Sequence, residues 1–454
     1  MPCKSVELSL RDVPRTSLSY TINLAARLVS PKVGIIKSMG HGIYRAQDPQ
    51  CLVLGIEAPD LARVSNITNT NKAGGAGESL ERALAATIGE AIERYCMLFY
   101  DKGDMVFGSY REVQEEAVHP DLLRLYSEEQ ARTAGASTRM DYFTEDSRIY
   151  WVRGFSLMRK QPRLLPASLV YLAYEFDRDE AAIGVNASTG LAAGATIEEA
   201  VLSGLYECVE RDAFTISWLC RWPGRRILVD DPGLLRRMKR HFHFGRPRVE
   251  IGFFDITLDI PIPCFFSYML RPSELGPTLS VASVSRMNPQ DSVEKCLNEM
   301  AQFLPYFRYL SAQMRDWTPK QDYSDLRTFD HHCMLYGKCP ELIAPATAPY
   351  RELREEIALS ALANYGCRRS LLSEIQEALT LLEARGFEVI VVDITTPDIE
   401  EVGLKVVRVL VPGLVNLHGD QLPFLGAARL HDMNRKLNPE VRELQMNPYP
   451  HPFP

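Results

Sequence analysis

The chain has 454 residues, 46% of them hydrophobic and 24% charged, which is material for one large or two to three ordinary domains with ample core. Its formal net charge of −7 argues against nucleic acid or an anionic membrane as the main partner, since both reward basic surfaces. No apolar run approaches the roughly 18 residues that span a bilayer, and the opening MPCKSVELSLRDVPR lacks a signal peptide's apolar stretch, so a cytoplasmic protein is expected.

In chain order, residues 1–65 read as a lead-in segment and 66–454 as one large catalytic unit, because no low-complexity linker divides the rest. The glycine-rich NKAGGAGES (71–79) offers backbone N–H groups suited to phosphate. It opens a pattern that returns. Residues 77–94 read GESLERALAATIGEAIER and residues 194–211 read GATIEEAVLSGLYECVER. At one constant offset Gly77 matches Gly194, Ser79 matches Thr196, Glu90 matches Glu207, Glu93 matches Glu210 and Arg94 matches Arg211. A third stretch, SVEKCLNEMAQ (292–302), repeats the opening. Each begins with Ser or Thr at the place of an N-cap and continues in helix formers, which predicts three long helices in an internally repeated architecture.

The second of these helices is apolar on every side, as a helix buried all round must be. Glu199, Glu207 and Glu210 fall within roughly 80° of one another at 3.6 residues per turn, and Glu90 and Glu93 are neighbours one turn apart on the first helix. Buried carboxylates need partners, and each E-x-x-E-R supplies a single arginine. The remaining partner is a divalent cation, for which oxygen-only ligands select magnesium over zinc. Two structural alternatives stand beside this. Thr196 and Glu199 fit a capping box, and E-x-x-E-R can serve as an ion-pair network on an exposed face. No G-x-x-x-x-G-K-[ST] and no G-x-G-x-x-G after a strand is present.

Further along, the basic run RRMKRHFHFGRPR (236–248) reads as a solvated surface. VEIGFFDIT (249–257), FEVIVVDITT (387–396) and GLKVVRVLVPGL (403–414) read as buried strands, and RSLLSEIQEALTLLEARG (369–386) as an amphipathic helix ended by Gly386. Strands alternating with helices predict a mixed α/β core. The ten cysteines contain no C-x-x-C, so reduced structural thiols are expected, and His331–His332 beside Cys333 makes a poor metal pair. The sequence stops on NPYPHPFP (447–454), with proline on alternate positions. That composition dictates a stiff, extended polyproline II segment rather than a frayed helix end.

Together these motifs resemble the YcaO family. The first repeat is similar to its G-K-G-x-[ST]…E-x-x-E-R segment. STGLAAGATIEEAVLSGLYECVERDAF resembles its S-N-G-L-A-A-G-N-T…E-x-x-E-R-D-A segment, and KCLNE (295–299) stands where the family shows R-x-x-x-E. The resemblance runs from about residue 25 to the end and implies a YcaO fold, α/β with α+β character, in which repeated strand–helix units surround a central ATP and magnesium site. It implies that Glu90, Glu93, Glu199, Glu207 and Glu210 hold magnesium, and that Ser79, Arg94, Ser188, Arg211, Lys295 and Glu299 serve ATP. The chain departs from the family at Ala76, Ala86, Thr189, Ala195 and Lys295, which the resemblance places mostly at nucleotide contacts, while every carboxylate is kept.

Azoline-forming members of the family resemble one another in ending on P-x-P-x-P, which Pro450, Pro452 and Pro454 match, and the resemblance gives these prolines a catalytic role. It implies an ATP-dependent cyclodehydratase of thiazole/oxazole-modified microcin pathways, acting on Cys, Ser or Thr of a ribosomally made precursor peptide. Implied partners are a ThiF-like C protein that captures the leader, a flavin-dependent dehydrogenase that follows, and a second copy of the chain within a complex. Alternatives are a member that forms backbone thioamides and a non-catalytic scaffold.

Overall fold

The computed structural model describes residues 8–59, 73–134, 139–185, 187–362, 370–440 and 443–453. Fourteen strands are described: β1 (Ser38–His41), β2 (Leu52–Glu57), β3 (Gly74–Gly77), β4 (Val106–Gly108), β5 (Ile149–Ser156), β6 (Gln161–Pro166), β7 (Leu191–Gly194), β8 (Arg225–Leu228), β9 (Glu250–Asp255), β10 (Cys264–Ser273), β11 (Gly276–Ser285), β12 (Glu356–Ala358), β13 (Ile390–Asp393) and β14 (Lys405–Leu410). They form three sheets: β1-β2-β3; β4-β5-β13-β14-β7 with β6 on β5; and β11-β10-β9-β8-β12. All the pairings are antiparallel except β8 with β12. The expected strands at 249–257, 387–396 and 403–414 appear as β9, β13 and β14, and the expected helix at 369–386 spans Leu371–Glu383.

The repeat in the sequence is a strand followed by a helix, used three times. β3 leads into Leu80–Cys96, β7 into Ile197–Leu219, and β11 into Pro289–Gln313. The Ser79 hydroxyl accepts from the Arg82 N–H at 3.2 Å, and the Thr196 hydroxyl from the Glu199 N–H at 3.2 Å, as the N-cap pattern requires. In the third unit the start lies earlier than SVEKCL suggests. Asn288 is the cap, its side-chain oxygen accepting from Gln290 N–H at 3.0 Å, and Ser292 is buried one turn inside. Proline at the first helical position settles it, because its φ is preset and its missing N–H is an orphan there anyway.

The matched glycines have a packing reason. A Cβ on Gly77 would lie 2.6 Å from the Ala83 nitrogen, and one on Gly194 2.7 Å from the Ala200 nitrogen. Only glycine lets each strand end press against the first turn of its own helix. Over its described part NKAGGAGES is an edge strand rather than a loop: Gly74–Gly77 is β3, paired on one side with Leu52–Gly55.

The second repeat helix is buried along most of its length, from Ala200 to Leu219. It packs on β14 and β7 of one sheet and on β11 and β10 of another, so it is the shared centre of the largest apolar cluster. From the lead-in, β1 and β2 extend β3 into a sheet, and the segment before Leu18 crosses the second helix. The boundary expected at residue 66 lies outside the described residues.

Candidate functional site

The two E-x-x-E-R motifs are built alike. In each, the first glutamate bonds upstream in its own unit: Gly74 N–H donates to Glu90 at 2.9 Å, and Gly190 N–H donates to Glu207 at 3.3 Å. Each also faces its own arginine one turn on, Arg94 at 2.8 Å and Arg211 at 3.6 Å. Gly190 has φ +82°, and a Cβ there would sit 2.0 Å from the Val409 carbonyl, so the turn that offers this N–H requires glycine.

The second glutamate of each motif reaches across to the next unit. Glu93 of the first helix accepts from Ala193 N–H on β7 at 2.8 Å. Glu210 of the second helix accepts from Ser285 N–H at the end of β11 at 3.3 Å, and from Arg211 at 2.5 Å. The three units are thereby handed one to the next through buried carboxyls. The third helix contributes Lys295 and Glu299, 3.2 Å apart.

Crowding shows in the proton affinities. Burial, opposed by the Ala193 hydrogen bond and increased by Glu207 and Glu90, pushes Glu93 up to about 8. Burial pushes Glu210 up to about 7, with Arg211 and Lys295 pulling down and Glu299 and Glu207 pushing up. Five carboxylates, Glu90, Glu93, Glu207, Glu210 and Glu299, when ionised stand against four cations, Arg94, Arg211, Lys295 and the buried Arg408, which acts on Glu207. A divalent cation would relieve that excess.

Glu199 stands apart. Its carboxylate accepts from the Thr16 N–H at 2.7 Å, from the Thr16 hydroxyl at 2.8 and 2.9 Å, and from Ala195 N–H at 3.2 Å. Eight residues at 1.5 Å rise place it about 12 Å along the axis from Glu207. The structure gives Glu199 an anchoring task for the lead-in, and its carboxylate takes the Ala195 N–H, two residues along the chain from the Ala193 N–H that Glu93 takes. Ser79 is an exposed N-cap, and Ser188 lies in the turn that presents Gly190.

Sequence reasoning missed Arg408. It is fully buried on β14 and donates to the carbonyls of Leu169, at 3.1 Å, and Ala187, at 2.5 Å, the latter beside Ser188. Burial holds its guanidinium down to about 10, with Cys208 and Glu207 opposing. An arginine inside the apolar run VVRVLV was the available signal.

The proline-rich segment comes to this site. Tyr449, Pro450 and His451 each give their carbonyl to a side chain of the body: Trp218 Nε1 at 3.0 Å, Tyr336 hydroxyl at 2.5 Å and His332 Nδ1 at 3.0 Å. Phe453 is buried, its ring centre 5.0 Å from that of Phe214 and 4.4 Å beneath the Arg211 guanidinium. Arg211 thus joins the carboxylates to the tail. Pro450 and Pro452 lie within this docked segment; Pro454 lies outside the described residues.

Among the described residues, no three carboxylate, imidazole or thiol side chains form a group able to hold a metal ion by themselves. Magnesium does not need such a group, because it takes one or two carboxylates and completes its octahedron with waters and substrate phosphates. An oxygen-only donor set, spread along one seam and carrying excess negative charge, fits magnesium bound together with a nucleotide. His331–His332–Cys333 forms no metal site: His332 is spent on two backbone carbonyls and Cys333 is a buried thiol pushed well up by burial. The described cysteines are all free. No helix among the described residues is long and apolar enough to cross a membrane.

Comparison with known proteins bears on the family and the fold. Residues 74–415 match the family model described as "YcaO cyclodehydratase, ATP-ad Mg2+-binding". An uncharacterized protein of Methanothermobacter thermautotrophicus is 23% identical over 351 residues, covering 75% of this chain and 80% of the relative. A solved heterocyclase in complex with substrate and cofactor superposes with a TM-score of 0.76 at 23% identity, covering 98% of this chain and 59% of that one, so the chain spans about three fifths of that heterocyclase. YcaO from Methanopyrus kandleri, bound with AMPPCP and Mg2+, gives 0.57 at 18% identity, covering 89% of this chain and 94% of that one. The E. coli microcin synthetase McbBCD complex gives 0.55 at 16% identity, with 83% and 87% covered, and has also been solved with pro-MccB17 bound. At these identities the solved structures show the fold.

Proposed function

The chain belongs to the YcaO family, and on that premise we propose that it is an ATP- and Mg2+-dependent cyclodehydratase that forms thiazoline or oxazoline rings from Cys, Ser or Thr of a ribosomally made precursor peptide. One observation carries the reading: the segment matching the family's azoline-forming P-x-P-x-P end is docked, through Phe453, on the arginine of the second E-x-x-E-R motif. Members that form thioamides generally lack that ending.

In this reaction the side-chain sulfur or oxygen adds to the preceding backbone carbonyl carbon. The former carbonyl oxygen departs as phosphate, and loss of the amide proton leaves the ring C=N. ATP bound with magnesium supplies the phosphoryl group that makes this oxygen a leaving group. Glu90, Glu93, Glu207 and Glu210 are the proposed holders of the cations, with Glu299 at the edge of the set. Arg94, Arg211 and Lys295 are placed to balance phosphate charge. In phosphoryl transfer the protein mainly positions groups and neutralises charge, and this seam of fixed carboxylates and guanidinium groups suits both tasks. Ser79 and Ser188 complete the proposed nucleotide contacts, and the proline-rich segment is the proposed catalytic element. Glu199, which holds the lead-in through Thr16, is proposed as a further carboxylate of the set.

The proposed setting is cytoplasmic. The partners are the precursor peptide, a ThiF-like protein that captures its leader, a flavin-dependent dehydrogenase acting afterwards, and a second copy of the chain within the complex. The McbBCD neighbour, a complex solved with pro-MccB17, supports a peptide substrate and an assembled enzyme. The test is to combine purified chain, precursor and leader-binding partner and to follow phosphate release and peptide mass. Loss of one water per ring with stoichiometric phosphate supports the reading. Oxygen exchanged for sulfur would reassign the chain to thioamidation, and no phosphate release would make it a scaffold.

A further inference from the structure

A polyproline segment forms no hydrogen bonds within itself, and its prolines carry no N–H. Whatever fixes such a rod must therefore act mainly on its carbonyls. With three residues per turn, consecutive carbonyls point to three sides of the rod. Here three consecutive carbonyls, at Tyr449, Pro450 and His451, are claimed in turn by Trp218, Tyr336 and His332. His332 and Tyr336 lie one turn apart on the helix Phe329–Lys338 and grip adjacent tail residues.

His332 holds the last of the three carbonyls, two residues before Phe453. Its ring stacks on the His451 ring, centres 4.0 Å apart and planes 5° apart, while His418 meets the His451 ring edge-on at 4.7 Å. His451 in turn gives Nε2 to the His418 carbonyl at 2.9 Å and accepts from Phe453 N–H at 3.3 Å. All three rings are buried. The other nitrogen of His332, Nε2, lies 3.0 Å from the Asp420 carbonyl. A neutral imidazole has a single N–H, so only one of the two carbonyls is held at a time.

We propose that His332 is a positioning residue for ring formation, seating the proline-rich segment by donating from Nδ1–H to the His451 carbonyl. It touches neither the carboxylates nor the arginines of the motifs. It acts through the tail, by fixing the advance and rotation of the rod so that Phe453 meets Arg211. The inference rests on the reading that the tail takes part in the reaction.

Asparagine and glutamine separate the two nitrogens. The amide nitrogen of Asn falls near the Nδ1 position of histidine, and that of Gln near Nε2. His332→Asn therefore keeps the donor to the tail, and His332→Gln keeps only the one toward Asp420. We expect His332→Asn to retain ring formation within about fivefold of the parent. His332→Gln and His332→Leu should each lose on the order of 100-fold, the cost of a misplacement of about 1 Å. All three should keep the parent's KM for ATP within about threefold. A purely structural role would lower the melting temperature and the rate of all three variants together. A reference protein lacking residues 447–454 tells the two readings apart. If it forms rings at the parent rate, the tail reading falls and this inference with it. If it is crippled while His332→Leu is active, or if Gln rescues and Asn does not, the inference alone is overturned.

Discussion

Replacing Phe453 by alanine tests how firmly the tail is bound to the site. The ring is 6% exposed, packed 5.0 Å from Phe214 and 4.4 Å under the Arg211 guanidinium. Truncating a buried Phe costs about 3–5 kcal/mol, which here includes an aromatic pair worth about 0.5–1.5 and a desolvated cation–π contact worth about 2. Because Phe453 ends a docked segment, the loss should fall on docking rather than on the global fold. At 1.4 kcal/mol per tenfold, about 3–4 kcal/mol lowers the docking constant by roughly 10² to 10³. The three carbonyl contacts remain, at about 1 kcal/mol each, and do not restore it. Hydrogen exchange reads this directly, because Tyr449, His451 and residue 453 carry the amides between the prolines. Their protection should fall by roughly 10² to 10³ while that of the second repeat helix is unchanged. Phe453→Leu keeps most of the apolar burial but loses the cation–π contact, so its protection should fall by about 30-fold. Protection within about fivefold of the parent in Phe453→Ala would show that Phe453 does not hold the tail. Full ring formation by a visibly undocked tail would remove the tail from the reaction.

Glu90→Gln and Glu207→Gln should abolish phosphate release while the melting temperature stays within a few degrees of the parent, because each removes a crowded charge rather than burying one. Glu93 and Glu210, raised to about 8 and about 7, carry protons near neutrality in the cation-free protein, and a bound cation must expel them. Mg2+ affinity in the presence of a non-hydrolysable nucleotide should therefore rise from pH 6 to pH 8, and calorimetry in two buffers should show proton release. The folded protein keeps His332 neutral down to about 4, whereas the unfolded chain takes up a proton below about 6.5, so acid favours unfolding through this group. At pH 5 that amounts to about 2 kcal/mol, so the parent should lose that much more urea stability than His332→Asn between pH 7 and pH 5. Taking the difference matters, because Glu93 and Glu210 pull stability the opposite way over the same range.

What was legible in the sequence was local. Gly77 and Gly194, the caps Ser79 and Thr196 and the spacing of E-x-x-E-R fix strand ends, helix starts and a shared face, all within one turn or two. A stiff tail followed from proline alone. What was hidden depends on pairing between distant parts of the chain. Glu199 looked like a fellow of Glu207 on one helical stripe, yet Thr16, 183 residues away, takes its carboxylate. The glycines of NKAGGAGES read as a loop, but over the described part they form an edge strand on β2, and their absent side chains let the following helix pack close. Arg408 finds its carbonyls only across about 220 residues or more of chain, and the three buried histidines meet only when the loop after β14, the helix Phe329–Lys338 and the tail have met.

The hand-over of carboxyls explains why the motif needs to occur more than once. A single E-x-x-E-R helix can satisfy its first glutamate with an upstream N–H and its own arginine, whereas the backbone donor to its second glutamate comes from the next unit. Glu93 finds one on β7 and Glu210 on β11, so each unit completes the one before it. Among the described residues no fourth unit follows the third, whose helix brings Lys295 and Glu299 to the seam. At that open end of the series the cations and the remaining glutamate face Glu210, whose proton affinity they set from both sides. Arg211 also meets the tail, through Phe453. The repeats thus build a seam of negative charge, and the last stretch of the chain is docked where the second unit meets the third.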